Sequence, residues 1–450
     1  MLSVGSFAQD NEYVEEVVSI GTRGKPRSVS SSPVPVDVLS AEDISKTGTD
    51  DLLMQLQGSI PSLNVHLQPI SDAASMIRPA NLRGLSADST LITTNGKRRH
   101  HASVIAFQGG GVNDGSQGAD ISVIPAIALK RVEVLRDGAS AQYGSDAIAG
   151  VINFVLDDIS EGGSLSYKMG EYTEGDGATS TIAGKFGMPL GQDGFVTTSF
   201  QIRQADDTSR SLQRPDAAAL IAAGNTAVAN PAQIWGAPKI DDDVTFFMNA
   251  GVTNSDGSES YMFGNYSERD VDGGFYYRNP DGRSGVFTIG DYRAVGNVDG
   301  TCAYGTGASG QVDPSNYVTR DAIMADPSCF LMNEIAPGGY TPRFVGTITD
   351  TSFTTGRRGE ITDGFLSGYS FDVSGSVGRN EADFGLNNTV NPSMGPDTPR
   401  NFTTGSYIEL EKTFNFDLQK QFDSVSVAYG AEWREETFEV ISGEEASWKA

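Results

Sequence analysis

The chain has 450 residues, with 58 acidic against 32 basic side chains and a formal charge of −26. That balance excludes a polyanionic partner such as nucleic acid, whose binding needs clustered Lys and Arg; a soluble acidic surface would carry the same charge. No stretch approaches the roughly eighteen consecutive apolar residues of a membrane helix, which leaves a β-barrel open because its strands are short and alternating.

The first residues, "MLSVGSFAQD", set Ser6 and Ala8 at small-x-small spacing behind apolar residues. Residues 1–8 therefore read as the remnant of an export signal, with the mature chain starting near Gln9; an ordinary terminus is the alternative. Residues 9–32 form a polar, Ser-rich tail broken by one β-branched island, "EEVVSIGT". The strand Val36–Leu39 then runs into a helix capped by Ser40, with Asp43 at the reciprocal position. Thr49 or Asp50 caps a second helix whose face is Leu52, Leu53 and Leu56, stopped by Gly58 and Pro61. Leu91–Thr94 reads as a strand, and Asn95-Gly96 is a strong hairpin signal because both positions tolerate positive φ.

His100 and His101 follow Lys97, Arg98 and Arg99 in what reads as an exposed segment with no third ligand in sequence reach. No metal site is expected there, and no cofactor elsewhere. Gly109–Gly118 reads as a flexible loop. Next come a short helix, the strand Arg131–Leu135, a Gly/Ala/Ser-rich run from Gly138 to Gly150, and the strand Val151–Leu156. A compact α+β domain over residues 33–160 is the expectation.

Beyond residue 160 long alternating segments take over. In "VSVAYGAEWREE", Val425, Val427, Tyr429, Ala431 and Trp433 share one face, and Glu432, Arg434 and Glu436 share the other. Similar patterns predict about nine strands, near 164–173, 178–188, 195–206, 244–252, 258–270, 351–362, 368–385, 405–419 and 424–441. Short turns at 189–194, 253–257, 363–367 and 420–423 alternate with long connections at 207–243, 271–350 and 387–404. Loop length sorted by rim is how outer-membrane barrels are built, and sandwiches have no reason to do it. Residues 161–450 are thus expected to be part of an antiparallel transmembrane β-barrel with long extracellular loops. The odd strand count and the ending "EEASWKA" imply that it is incomplete. By scaling to 22-stranded plugged transporters, roughly 700 residues would make the whole, with well over 200 more expected at the C-terminal side. Cys302 and Cys329 lie in a Gly/Pro/Asn-rich stretch with no nearby His, which favours a loop disulfide over two free thiols.

"NLRGL", "LITTNGKRRH" and "IPAIALKRVEVLRDGASAQYGSDAIAGVINFV", in this order ahead of a barrel, resemble the plug motifs of TonB-dependent outer-membrane receptors. The matching positions include Gly84, Asn95, Gly96, Gly138, Tyr143, Gly144 and Gly150. The resemblance implies a plug filling a barrel, a bacterial outer-membrane location in contact with its lipid, no catalysis, and an energy-coupling partner, TonB. "EEVVSIGT" resembles the TonB box, here Glu16, Val17, Val18, Ser19 and Ile20. In a solvated tail with no sheet partner of its own, this segment would be ready for β-augmentation. The family's plug arginines that meet barrel glutamates correspond to Arg83 and Arg136, with Glu432 as the nearest candidate partner.

The expected function is energised uptake of a scarce nutrient, a small molecule or oligosaccharide; a β-rich adhesin without transport is the alternative. Ligand contacts are expected at 67–80, 102–120 and the outer loops. Phe107 is the one aromatic of those apex segments, with no basic-aromatic cluster of the kind a catecholate siderophore would need. Tyr276, Tyr277, Tyr292 and Tyr304 in the longest loop could stack on sugars. The lean is therefore towards a carbohydrate or other polar organic solute over an iron chelate, with cobalamin also open.

Overall fold

The computed structural model describes residues 17–20, 27–28, 34–67, 69–107, 111–304, 312–423 and 425–449. Residues 1–16, with Glu16 and the expected signal remnant, and Gly109–Gly110 of the apex loop lie outside the described residues.

The N-terminal part is a mixed sheet with small helices. Two short strands, β1 (Val17–Val18) and β2 (Arg27–Ser28), pair antiparallel. They precede β3 (Val36–Ser40), α1 (Ala41–Ser45), α2 (Leu52–Ser59), β4 (Leu63–Val65), β5 (Ala80–Leu82), β6 (Thr90–Thr94) and β7 (Lys97–Arg98). Then come β8 (Leu129–Leu135), α3 (Ser140–Tyr143) and β9 (Gly150–Leu156). The sheet order is β3-β8-β9-β6-β7, and β6 with β9 is its parallel pair. Ser40 caps α1 as the sequence suggests, accepting from the Asp43 amide. The cap of α2 is Asp51 rather than Thr49 or Asp50, because its Oδ1 reaches the Met54 amide at 3.2 Å.

The run "VINFV" is apolar on both faces but for Asn153, because β9 is buried on both sides. Ile152, Phe154 and Leu156 join Val132 and Val134 against α2 on one side. Val151 and Leu135 face Val18 and Ile20 on the other. The bend ahead of this strand needs glycine: at Gly150, with φ of 154°, a Cβ would overlap the Leu135 carbonyl and the Leu82 side chain. The Gly/Ala/Ser-rich run between Gly138 and Gly150 folds as α3 and a 3-10 turn at Ser145–Ala147.

The second part is one sheet of nine strands joined in chain order, each antiparallel to its neighbours. Its first strands are β10 (Gly163–Gly170), β11 (Thr179–Pro189), β12 (Gly194–Ala205), β13 (Lys239–Thr253) and β14 (Glu259–Gly274). The loop before β13 carries α4 (Pro215–Ala222). The loop after β14 holds β15 (Thr288–Ile289), β16 (Tyr292–Arg293), β17 (Gly296–Asn297), α5 (Tyr317–Met324) and β18 (Cys329–Phe330). The wall continues as β19 (Arg343–Glu360), β20 (Ser370–Asn387), β21 (Phe402–Gln421) and β22 (Ser426–Ser442). These are the nine predicted strands; from β13 onward each runs past its predicted outer end, most of all β19, which starts at Arg343 rather than 351, whereas β10 stops at Gly170, short of 173. No helix among the described residues is long and apolar enough to cross a membrane.

Alternation sorts the side chains of the wall. Phe246, Phe353, Phe414, Tyr429 and Trp433 are exposed on the outer, lipid-facing surface. Asn265, Asp350, Asn380 and Glu411 are buried on the inner surface, against the N-terminal domain.

Candidate functional site

Two regions gather chemistry: the seam between plug sheet and wall, and the outer mouth. The seam is built by the segment that leaves the Asn95-Gly96 turn. Asn95 closes that turn with φ of 50° and ties it outward, its amide nitrogen donating to Asn249 Oδ1 at 3.2 Å. The charged run that follows lies along the wall rather than in solvent. Strand register places Asn265, Ser352, Gly378, Glu411 and Glu436 side by side across five strands, and Arg99, His100 and His101 lie along this row.

Arg99 Nη1 donates to Asn265 Oδ1 at 3.2 Å and Nη2 to Asp350 Oδ1 at 2.6 Å. His100 Nε2 lies 2.9 Å from Asp350 Oδ2, which also accepts from Asn380 at 2.9 Å. The His100 ring sits directly over Gly378, where any Cβ would overlap it. His101 Nδ1 lies 3.4 Å from Glu411 Oε2 and 3.7 Å from Glu436 Oε1. The reading of this segment as exposed is therefore corrected: Arg99 and His100 are buried, because the wall supplies the counter-charges that a charge run otherwise takes from water. Ser103 adds a bond to Asn380 at 2.8 Å, and Arg269 reaches from the wall to Asp120 at 3.1 Å. The apex loop is partly anchored as well, since buried Asn113 exchanges hydrogen bonds with Asn81 at 2.7 and 2.8 Å.

The arginines singled out from the sequence do not form this seam. Arg83 Nη1 lies 3.8 Å from Asp137 and 3.4 Å from the Ala149 carbonyl. Arg136 pairs with Asp37 across β8 and β3. Both pairs are internal to the sheet domain, because each arginine sits just past the end of a strand, β5 or β8, within reach of partners in that domain. Glu432 does face inward, but its plug partner is Arg98 at 3.7 Å. Arg98 also binds Asp146 and donates to the Tyr143 carbonyl at 3.0 Å, and Gly144 closes that turn. Arg434 joins Asp146 from the wall at 3.2 Å.

Residues 17–20 are also placed differently from the expected solvated tail. Val18 and Ile20 are buried against Leu91, Leu135 and Val151. Ser19 donates from its amide at 3.2 Å and its hydroxyl at 2.7 Å to Glu133 Oε2. Glu133 is wholly buried, held by Arg131 at 2.8 Å and Asn153 at 3.1 Å. The segment thus completes a polar network on a sheet face that would otherwise hold an open carboxylate.

At the outer mouth a file of rings climbs the wall: Phe275, Phe344, Phe384, Tyr407 and Phe438, with successive centroids 6.4, 5.6, 5.1 and 5.7 Å apart. Its base packs on Met76 and Ile77 of the plug apex. Arg278 lies over Phe275 at 5.3 Å and exchanges backbone hydrogen bonds with Tyr340, over which Arg400 stacks at 5.4 Å. Burial, then Arg283, hold the Arg278 guanidinium below its ordinary pKa. Burial pushes the Tyr340 hydroxyl up, while Arg278, Arg400 and Arg283 pull it the other way. Among the described residues no carboxylate pairs with any of these three arginines within 4.0 Å; Asp72 of the apex acts on Arg278 from farther off. The basic-aromatic cluster missing from the apex segments is therefore supplied by wall and loops. Phe107 is exposed and outside it. Cys302 and Cys329 form a disulfide that closes part of the largest loop. Tyr277 is buried with its hydroxyl on the Gly338 carbonyl, so it is structural.

Residues 28–151 match the model of the TonB-dependent receptor plug domain. An iron-regulated outer membrane virulence protein of Vibrio cholerae is 29% identical over 156 residues, 34% of this chain and 22% of that protein. A ferric enterobactin receptor of Pseudomonas aeruginosa is 32% identical over 120 residues, 27% of this chain and 16% of that protein. A crystal structure of a ferric enterobactin receptor mutant from the same species superposes with a TM-score of 0.57 at 16% identity, covering 91% of this chain and 50% of the other. The chain thus spans about half the length of that solved receptor, and its sequence matches cover about a fifth of the curated relatives. These matches overturn the lean towards a carbohydrate, since the relatives are named for iron and its siderophore complex. They leave the adhesin alternative without support. Residues 28–151 are thus a TonB-dependent receptor plug domain, and the nine-stranded wall that follows has the fold of part of an outer-membrane receptor β-barrel.

Proposed function

We propose that this chain belongs to an importer that takes an anionic ferric siderophore at the outer mouth and passes it inward when TonB pulls on residues 16–20. The observation that carries the reading is the arginine group around Tyr340, joined to the file of aromatic rings. In a chain of net charge −26, cations without carboxylate partners are held there at a cost in self-repulsion. A polyanionic chelate with flat aromatic arms answers both features, by charge-assisted hydrogen bonding and by stacking. The named relatives support the same substrate class. The device is a transporter and not an enzyme. Its tail to residue 32 would serve TonB by strand addition, residues 33–160 would be the plug, and the chain from 161 the wall.

The test is binding of labelled ferric catecholate and of a neutral oligosaccharide to the full-length receptor in detergent. Expected is binding of the ferric chelate alone, weakened more than about tenfold by Arg278→Gln with Arg400→Gln, from loss of charge-assisted bonds. Equal affinity in the double variant, or no binding of ferric chelates, overturns the assignment.

A further inference from the structure

We propose that His101, Glu411 and Glu436 form a divalent transition-metal site that clamps the plug to the barrel wall. The three ligand atoms lie within 4.8 Å of one another, with the His101 nitrogen 3.4 and 3.7 Å from the two carboxylate oxygens. A tetrahedral zinc ion, with bonds of about 2.0–2.2 Å, sets its ligand atoms roughly 3.3–3.6 Å apart, so small side-chain motions complete the set. A second observation points the same way. The Glu411 side chain is 2% exposed, and its Oε2, the oxygen aimed at His101, has no hydrogen-bond partner. Apart from the His101 ring at 3.4 Å, this buried anionic oxygen has no donor among the described residues, and a cation seated between the two removes the cost of keeping it so.

The surroundings fit a ligand set. Glu411 and Glu436 face each other in register on β21 and β22, so the wall offers both carboxylates from rigid strands. Arg434 Nε lies 3.1 Å from Glu436 Oε1 and orients it, as hydrogen-bonded groups behind metal-binding carboxylates do. One imidazole with two carboxylates suits zinc, manganese, iron(II) or cobalt(II) and disfavours soft copper(I). Water would fill the remaining positions. Because His101 belongs to the plug and both glutamates to the wall, an ion here links two parts that must separate or rearrange for passage. Metal occupancy would then stiffen the seam. The ligands are far apart in sequence, which is why the His-His pair alone gave no sign of a third donor.

The experiment needs no siderophore, so its outcome is independent of the uptake assignment. Untagged full-length receptor in detergent is stripped with chelator and titrated with Zn²⁺, then loaded separately with Co²⁺. Expected are one Zn²⁺ per chain, Co²⁺ d–d absorption from the bound site, and slower amide exchange over residues 97–103 when Zn²⁺ is present. Glu411→Gln should weaken Zn²⁺ more than about tenfold and abolish the exchange effect. His101→Gln is the second variant should Glu411→Gln fail to fold. Absence of stoichiometric Zn²⁺ in the unmodified receptor, or unchanged affinity in the variant that folds, overturns the site.

Discussion

Asp350→Ala is the sharpest probe of how the plug is held. The carboxylate it removes accepts from Arg99 at 2.6 Å, Asn265 at 2.8 Å and Asn380 at 2.9 Å, with His100 at 2.9 Å. Both members of the Arg99–Asp350 pair are 2% exposed, so solvent does not screen it. Removing one partner of such a pair costs roughly 3–5 kcal/mol, chiefly by leaving the other charge buried and unpaired. At about 1.4 kcal/mol per factor of ten, local opening of residues 97–103 should become about 10²- to 10⁴-fold more frequent. Hydrogen exchange of that segment in full-length receptor reads this directly. Adding Arg99→Ala should then cost less than Arg99→Ala alone, because the two share one network. An exchange increase below about tenfold, or strictly additive costs, would refute the claim that this pair anchors the seam.

Further outcomes follow from other sites. Gly378→Ala should loosen the same segment by about 1–3 kcal/mol through overlap with His100, whereas Gly375→Ala, with only one atom 3.9 Å away, should leave its exchange unchanged. Glu133→Ala should free residues 17–20, raising exchange at Ser19 by about 10- to 100-fold as its bonds to a charged acceptor are lost. Replacing Cys302 and Cys329 by Ser should release a loop closed over a separation of 27 residues, a loss of about 3.5 kcal/mol by loop entropy, seen as faster proteolysis there. Asp216 is held below its ordinary pKa of 3.8, first by its bond to Arg214, so its support for α4 is complete above that value. That support should fade as pH falls through the lowered pKa, and exchange over residues 215–222 that ignores pH in this window would contradict it.

Much of the architecture was legible because alternation and turn chemistry are local. Strands such as β22 declare both faces within a dozen residues, and Asn95-Gly96 declares its turn within two. The seam was not legible, because its pairs join residues 251 apart, as in Arg99–Asp350. "KRRHH" carries the ordinary signature of a solvated charge run, and only the wall's register shows what receives it. The aromatic file was hidden differently. Phe344, Phe384, Tyr407 and Phe438 stand on inward positions, where alternation leads one to expect polar residues, so each looks like an isolated exception until the strands are set side by side. The docking of residues 17–20 depends on Glu133, 114 positions away, and nothing in "EEVVSIGT" names that partner.

The gap at Gly378 bears on how the two parts find each other during assembly. In the row Asn265, Ser352, Gly378, Glu411 and Glu436 it is the one position without a side chain, and His100 occupies it. A plug turned by one strand would bring that ring against Ser352 or Glu411 and take Arg99 away from Asp350. The row therefore works as a keyway. It fixes the azimuth of the insert within its cylinder and leaves displacement along the axis as the motion that polar contacts, exchangeable for water, resist least.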